Sequence, residues 1–136
     1  PGQSHPATRS FQAIRIAINK EYEELFDGLF SAEKALSSDG YLVLVTFHSI
    51  EDRIVKRFIQ ARTGKLHSTS RYMPDTDDIE AQFTKVTRKA VKPSIDEISI
   101  NPRSRSAKLR VAKRTNIKPG QSLDLEELNV PIVGGY

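Results

Sequence analysis

Apolar side chains recur every three or four positions between residues 8 and 36, which is the spacing of an amphipathic helix. The recurring positions are Phe11, Ile14, Ile18, Tyr22, Leu25, Leu29, Ala32 and Leu36. Thr8 is a suitable N-cap, and Ser38–Gly40 is a suitable stop. Because a helix of about 28 residues is long for a globular protein, a break near Asn19 and Lys20 that gives two helices is the alternative.

The segment 41–47 is almost entirely apolar. This pattern predicts a strand that is covered on both faces, as in a parallel α/β sheet. Residues 50–61 return to the helical period and predict a helix with Ser49 as its N-cap. Glu51 and Asp52 then lie in its first turn, where the helix dipole favours carboxylates.

Two further strands are predicted where apolar and polar residues alternate, over 83–91 and 107–114. The polar, turn-rich segment 63–81 predicts a surface loop, and Ser94 caps a short helix between the two strands. The tail, residues 116–136, either docks against the body or is extended. The order of elements has too few strands for a complete doubly wound domain, so we expect the second half of an α/β sheet.

Composition narrows the classes of function. The chain of 136 residues has no cysteine, which excludes disulfides, thiolate metal sites and a cysteine nucleophile. Its three histidines lack the spacing of metal ligands, and no apolar run reaches the roughly 18–20 residues of a membrane span, so neither a metal nor a membrane is expected. The net charge of +4 favours an anionic partner such as RNA. The sequence begins with Pro1 and its one methionine is Met73, so the interpretation as a proteolytic piece or as part of a longer protein stays open.

His48, Ser49 and two carboxylates lie together where the predicted strand 41–47 meets the following helix. Helix capping explains much of this cluster. A serine hydrolase is disfavoured because the GxSxG nucleophile elbow is absent. A site role is nevertheless favoured by position, since ligands of open α/β sheets bind beyond the carboxyl ends of the strands.

Basic and hydroxyl side chains crowd together over residues 101–110. Guanidinium groups and hydroxyls suit phosphate oxygens. The set comprises Arg103, Ser104, Arg105, Lys108 and Arg110. The alternatives are a solvated basic face or pairing with the chain's own carboxylates. Lys56, Arg57 and Arg62 on the predicted helix are weaker candidates for the same role. Neither GxGxxG nor GxxxxGK[ST] occurs, so no nucleotide loop is predicted.

Four segments together resemble one known family. They read HPATRSFQAIRIAIN (5–19), FHSIEDRIVKRF (47–58), TRKAVKPSIDEI (87–98) and NPRSRSAKLRVAKR (101–114). These blocks are similar to the C-terminal part of the bacterial 16S ribosomal RNA (cytosine-N4) methyltransferases, which have mitochondrial counterparts. The likeness covers roughly residues 4 to 115 and leaves the tail uncovered.

The resemblance implies an α/β fold, the C-terminal half of a class I S-adenosylmethionine-dependent methyltransferase with a Rossmann-like sheet. Residues 1–115 would be the C-terminal segment of that domain and 116–136 a tail. The strand 41–47 would be the fifth of the sheet, and the strands 83–91 and 107–114 its terminal antiparallel pair. The family's cofactor-binding motifs belong to the N-terminal half, so we expect no residue for S-adenosylmethionine on this chain and no activity from it alone.

The resemblance also implies a function, methylation of the N4 amine of a cytidine in small-subunit ribosomal RNA. The expected partners are that RNA and the remaining N-terminal part of the same enzyme, in the cytoplasm or, alternatively, the mitochondrial matrix; a homodimer is left open. His48 and Ser49 would face the cytosine, and Asp52 or Glu51 would orient the turn or Arg9. The residues expected to hold RNA are Arg9, Arg103, Ser104, Arg105, Lys108 and Arg110. The alternative function is a non-catalytic RNA-binding or ribosome-assembly module.

Overall fold

The computed structural model describes residues 20–64, 80–121 and 123, with positions 7, 8, 10, 11 and 14. The elements over these residues follow the predicted order, with one short 3₁₀-helix added. They are α1 (Glu21–Ala35), β1 (Tyr41–Thr46), α2 (Ser49–Arg62), β2 (Phe83–Lys85), α3 (Ile95–Ile100), the 3₁₀-helix Pro102–Ser106 and β3 (Lys108–Arg114). The predicted loop 63–81 lies mostly outside the described residues.

The alternative of a break near Asn19 and Lys20, rather than one continuous helix, is confirmed. Lys20 has a left-handed backbone with φ of 50°, and α1 begins at the next residue with three glutamates in its first turn. Those carboxylates stabilise the positive end of the helix dipole. The predicted N-cap at Thr8 is wrong, because Ala7 already has helical backbone. At the other end, α1 stops at Ala35, three residues before the predicted stop.

The sheet has three strands in the order β1-β3-β2, and β3 is antiparallel to both neighbours. Tyr41 lies opposite Lys113 and Thr46 opposite Lys108, so β1 is paired along its whole length. The predicted antiparallel pairing of the last two strands is therefore confirmed. The predicted strand 83–91 is shorter than expected, since β2 ends at Lys85 and only Val91 returns as an isolated bridge to β3.

The prediction that β1 is covered on both faces is wrong within the described chain. Leu42 and Thr46 are buried, whereas Tyr41, Val43 and Val45 are 57%, 57% and 53% exposed. The helices α1 and α2 cover one face, and no described element covers the other. An apolar run shows that both faces of a strand are apolar, but it does not show which chain segment covers each face.

The core lies between the covered face of the sheet and the two long helices. Ile54, Val55 and Phe58 of α2 are fully buried, as is Phe83 of β2. A series of aromatic rings runs through this core, with Phe26 to Phe30 at 4.9 Å and Phe30 to Phe58 at 5.4 Å, both edge to face. Such contacts stabilise the packing beyond the burial of apolar area.

A buried ion pair joins the two long helices to the start of the tail. Nε of Arg62 donates to Glu33 at 2.9 Å, and its guanidinium lies over the ring of Phe30. Glu33 also accepts from the backbone N–H of Gly120, and Arg62 donates to the carbonyl of Gln121. The prediction that Arg62 is available to RNA is therefore wrong, because its side chain is buried in this pair.

Candidate functional site

The turn between β1 and α2 has a fixed backbone. His48 is the N-cap residue of α2, with an extended backbone, so the predicted N-cap at Ser49 is wrong by one residue. The carboxylate of Glu51 accepts hydrogen bonds from the backbone N–H groups of Phe47 and His48, each at 3.2 Å. These bonds satisfy donors that the helix start leaves free. The half-buried His48 and the exposed Ser49 are therefore presented on a held turn at the carboxyl end of β1.

Asp52 attaches the first turn of α2 to β3. Its two carboxylate oxygens accept from Nε and Nη2 of Arg110 at 2.8 and 3.1 Å, which is a bidentate ion pair. Lys108 adds a third contact at 3.3 Å. Burial alone would raise the pKa of Asp52, but the hydrogen bonds and charges of Arg110 and Lys108 outweigh it and hold that pKa below its usual range.

The two clusters that the sequence presented separately therefore meet in space. Lys108 pairs with Thr46 in the sheet register, so the start of β3 lies beside the end of β1. Lys108 and Arg110, predicted to hold RNA, are engaged by Asp52, which matches the alternative of pairing within the chain. Because one carboxylate faces two cations, one positive charge of this cluster is left over.

The remaining predicted RNA-binding residues have different environments. Arg103 and Arg105 lie exposed on the 3₁₀-helix just before β3. Ser104 between them is buried, and its hydroxyl donates to the carbonyl of Asn101 at 2.8 Å, so it holds the 3₁₀-helix. Arg9 lies outside the described residues. The structure does not test whether these side chains contact RNA, so their RNA-binding role stays a prediction.

The buried ion pairs of Asp52 and Glu33 were not predicted from motifs, but a pattern in the sequence marks them. Asp52 stands three and seven positions before the buried Val55 and Ile59, so it lies on the apolar stripe of α2. Glu33 follows Phe26 and Leu29 on α1 in the same way. A charged residue on an apolar helical stripe predicts a buried partner of opposite charge, because an unpaired buried charge is costly.

The acidic side chains near the end of β1 and the most closely packed glycine are engaged within the described part of the chain. Glu51 and Asp52, the carboxylates nearest the end of β1, are both engaged within the chain. The glycine with the closest approach to a neighbour, Gly120, packs against Arg62 rather than facing an open groove. Over residues 20–64 and 80–121, no three His, Asp or Glu side chains are grouped as metal ligands.

No helix in the described part of the chain is long and apolar enough to cross a membrane.

Comparison with known proteins identifies the family of this chain. Residues 2–115 match the MraW methylase family. The chain is 57% identical over 131 residues to the ribosomal RNA small subunit methyltransferase H of Ruegeria sp. (strain TM1040), covering 96% of this chain. It is 52% identical over its whole length to the protein of the same name from Jannaschia sp. (strain CCS1). The chain spans 40% and 41% of the length of these two relatives. The chain belongs to the MraW methylase family.

Proposed function

We propose that this chain is the C-terminal part of an enzyme that transfers a methyl group from S-adenosylmethionine to the N4 amine of a cytidine in small-subunit ribosomal RNA. The observation that carries the proposal is the held turn at the carboxyl end of β1, in a chain whose relatives are named as small-subunit methyltransferases. Bacterial ribosomal subunits are assembled in the cytoplasm, where we place the enzyme.

His48 and Ser49 are proposed to face the cytosine. The amine of cytosine is a poor nucleophile because its lone pair is delocalised into the ring, so it must be held in line with the methyl group and lose a proton. The imidazole of His48 is proposed to accept that proton or a hydrogen bond from the amine, and the exposed Ser49 hydroxyl to bond the base. Glu51 and Asp52 keep the turn in place, because they fix its backbone and its helix.

The uncovered face of β1 is proposed to receive the remaining N-terminal part of the enzyme. Tyr41, Val43 and Val45 are more than half exposed there, and Leu109 and Val111 of β3 continue the same apolar face through the sheet register. The outer edge of β1 has no strand partner among the described residues. An apolar face beside an open strand edge needs a cover, because both promote association with other chains. In this proposal the N-terminal part covers the apolar face, and its strands pair with the open edge of β1 to complete the Rossmann-like sheet.

A hybrid enzyme tests the function. In it, this chain replaces the matching portion of the Ruegeria relative, and transfer of a radioactive methyl group to small-subunit ribosomal RNA is measured. His48→Asn removes the imidazole but keeps a residue that is favoured at the N-cap, so the start of α2 is preserved. We expect His48→Asn to reduce methyl transfer by at least about tenfold, the usual size of a lost acid–base contribution, with unchanged cofactor affinity and Tm.

The matched control is Ser106→Ala, an exposed serine in the 3₁₀-helix that should retain full activity. Unchanged turnover in His48→Asn would reduce His48 to a capping residue. A hybrid that binds the RNA but transfers no methyl group would instead support the non-catalytic RNA-binding module. Product nucleosides resolved by mass spectrometry would show whether the methyl group lies on N4 of cytidine.

A further inference from the structure

A small basic cleft opens between the second half of α2 and the strands β2 and β3. Its volume is about 50 Å³, and its lining includes Lys56, Lys85, Arg88 and Arg110. None of its lining residues is acidic. The cleft faces the covered side of the sheet, next to the ion pair of Asp52 but farther along α2. Four cations around one concave surface concentrate positive potential there.

The backbone around this cleft is held by hydrogen bonds. Thr87 exchanges bonds with β3, since its hydroxyl accepts from the N–H of Val111 at 3.0 Å and its own N–H donates to the carbonyl of Val111. This contact places the adjacent Arg88 at the rim. Arg110 uses Nε and Nη2 on Asp52, and a guanidinium has five N–H donors, so donors remain on Arg110 for a second anion.

Gln60 supplies a second, independent feature of the cleft. It lies in the lining, and its side-chain oxygen is buried without a hydrogen-bond donor among the described residues. A buried acceptor without a donor costs free energy, so such an atom is usually satisfied by a ligand or by water. The donor that RNA carries next to each phosphate, and DNA lacks, is the ribose 2′-hydroxyl.

We propose that this cleft binds one nucleotide of the backbone of the substrate RNA, with the phosphate on Lys56, Lys85, Arg88 and Arg110 and the ribose 2′-hydroxyl on Gln60. The inference rests on the proposed function, since it adds a subsite to the same substrate. Lys56 follows His48 by eight helical residues, which is about 12 Å along α2. An RNA strand whose target cytosine lies at His48 therefore reaches the cleft within a few nucleotides.

The test uses the hybrid enzyme and a transcript of small-subunit ribosomal RNA. Lys56→Gln with Lys85→Gln removes two exposed cations of the cleft, and affinity is measured from low to moderate salt. We expect affinity to fall about fivefold to tenfold at about 0.1 M salt, and the slope of log affinity against log salt to decrease by about 1 to 2. The matched control is Lys34→Gln with Lys118→Gln, two exposed lysines outside the cleft, for which we expect less than about a twofold loss.

The 2′-hydroxyl contact is tested separately with Gln60→Leu. The ratio of affinities for a target RNA oligonucleotide and its 2′-deoxy counterpart should fall by at least about threefold, since one hydrogen bond is lost. The Tm should not fall, because the variant removes a buried oxygen without a donor. An unchanged ratio would overturn the assignment of Gln60.

Equal losses in the cleft variant and its control would overturn the phosphate site, while methyl transfer by the unsubstituted hybrid would leave the proposed function standing. Absence of both binding and methyl transfer in the unsubstituted hybrid would overturn the proposed function as well.

Discussion

The ion pair between Asp52 and Arg110 is predicted to hold the β1–α2 turn against β3. The side chains of Asp52 and Arg110 are only 12% and 13% exposed, and they share two hydrogen bonds. Asp52→Asn keeps the shape of the side chain and one acceptor oxygen but removes the charge. Arg110 then remains largely buried beside an amide, with Lys108 as a second cation at the same point.

The size of the effect follows from this burial. Removal of one partner from a fully buried ion pair costs about 3–5 kcal/mol, whereas an exposed pair contributes at most about 1 kcal/mol. Asp52 is close to the buried limit, but Lys108 is 33% exposed and its ammonium can turn to water. We therefore expect Asp52→Asn to lower the free energy of unfolding by about 2–3 kcal/mol. In a domain of this size that corresponds to a decrease in Tm of roughly 8–12 °C.

A double-mutant cycle isolates the pair. Urea unfolding is followed by circular dichroism for the chain, Asp52→Asn, Arg110→Gln and the double variant. The coupling free energy should be at least about 1.5 kcal/mol, because the pair is charge-assisted and bidentate. Asp96→Asn, on an exposed carboxylate of α3, is the control and should change stability by less than about 0.5 kcal/mol. A coupling near zero would refute the reasoning and leave Asp52 as a surface carboxylate.

Three further predictions concern pH, the tail and the uncovered sheet face. The pKa of Asp52 is lowered on folding, so the stabilisation that its carboxylate contributes is present above the pKa of the unfolded chain and is lost as pH falls through the pKa of the folded chain. When the free energy of unfolding is measured as pH is lowered, Asp52→Asn should therefore lack part of the acid-induced loss of stability seen in the unsubstituted chain. Gly120→Ala should destabilise the chain by about 1–3 kcal/mol in urea unfolding, because the new methyl group would collide with the buried guanidinium of Arg62; equal stability would show that the tail contact is not tightly packed. Val43→Lys should change the stability of the chain by less than about 0.5 kcal/mol but abolish methyl transfer by the hybrid enzyme, and full activity would contradict docking on this face.

The periodicity of apolar residues predicted the parts of the fold that depend on local sequence. The helix α2 follows from apolar residues at helical spacing and the strand β3 from their alternation, whereas the break at Lys20 was expected from the length of the first helical segment. The cover of β1 did not follow, because Val43 and Val45 are apolar whether a segment of this chain or another chain covers them. Periodicity reports the character of a face, while its cover depends on tertiary pairing.

Only part of the candidate site was predicted, because the rest depends on contacts between residues that are distant in the sequence. His48, Ser49 and Asp52 could be located at a strand end from sequence, since they are neighbours along the chain. The partners of Asp52 could not, because Lys108 and Arg110 reach it only through the antiparallel register that places β3 beside β1. The cleft residues Lys85 and Arg88 were not predicted either, because in the sequence each resembles an ordinary surface cation. Only the packing of α2 beside β2 and β3 brings them into one cleft.

The alternation of β3 separates the two proposed binding surfaces. Lys108 and Arg110 point to the side of α2, where Asp52 and the basic cleft lie, and Leu109 and Val111 therefore point to the opposite side with Val43. RNA and the remaining part of the enzyme would thus contact opposite faces of one sheet and could be bound together. Substitutions on one face should then leave binding at the other unchanged, because residues that share no partners act almost additively. When Val43→Lys is combined with the Lys56 and Lys85 substitutions, the loss in partner docking should equal that of Val43→Lys alone, and the loss in RNA affinity should equal that of the two lysine substitutions alone. A strong dependence of either loss on the other substitutions would place both partners on one surface.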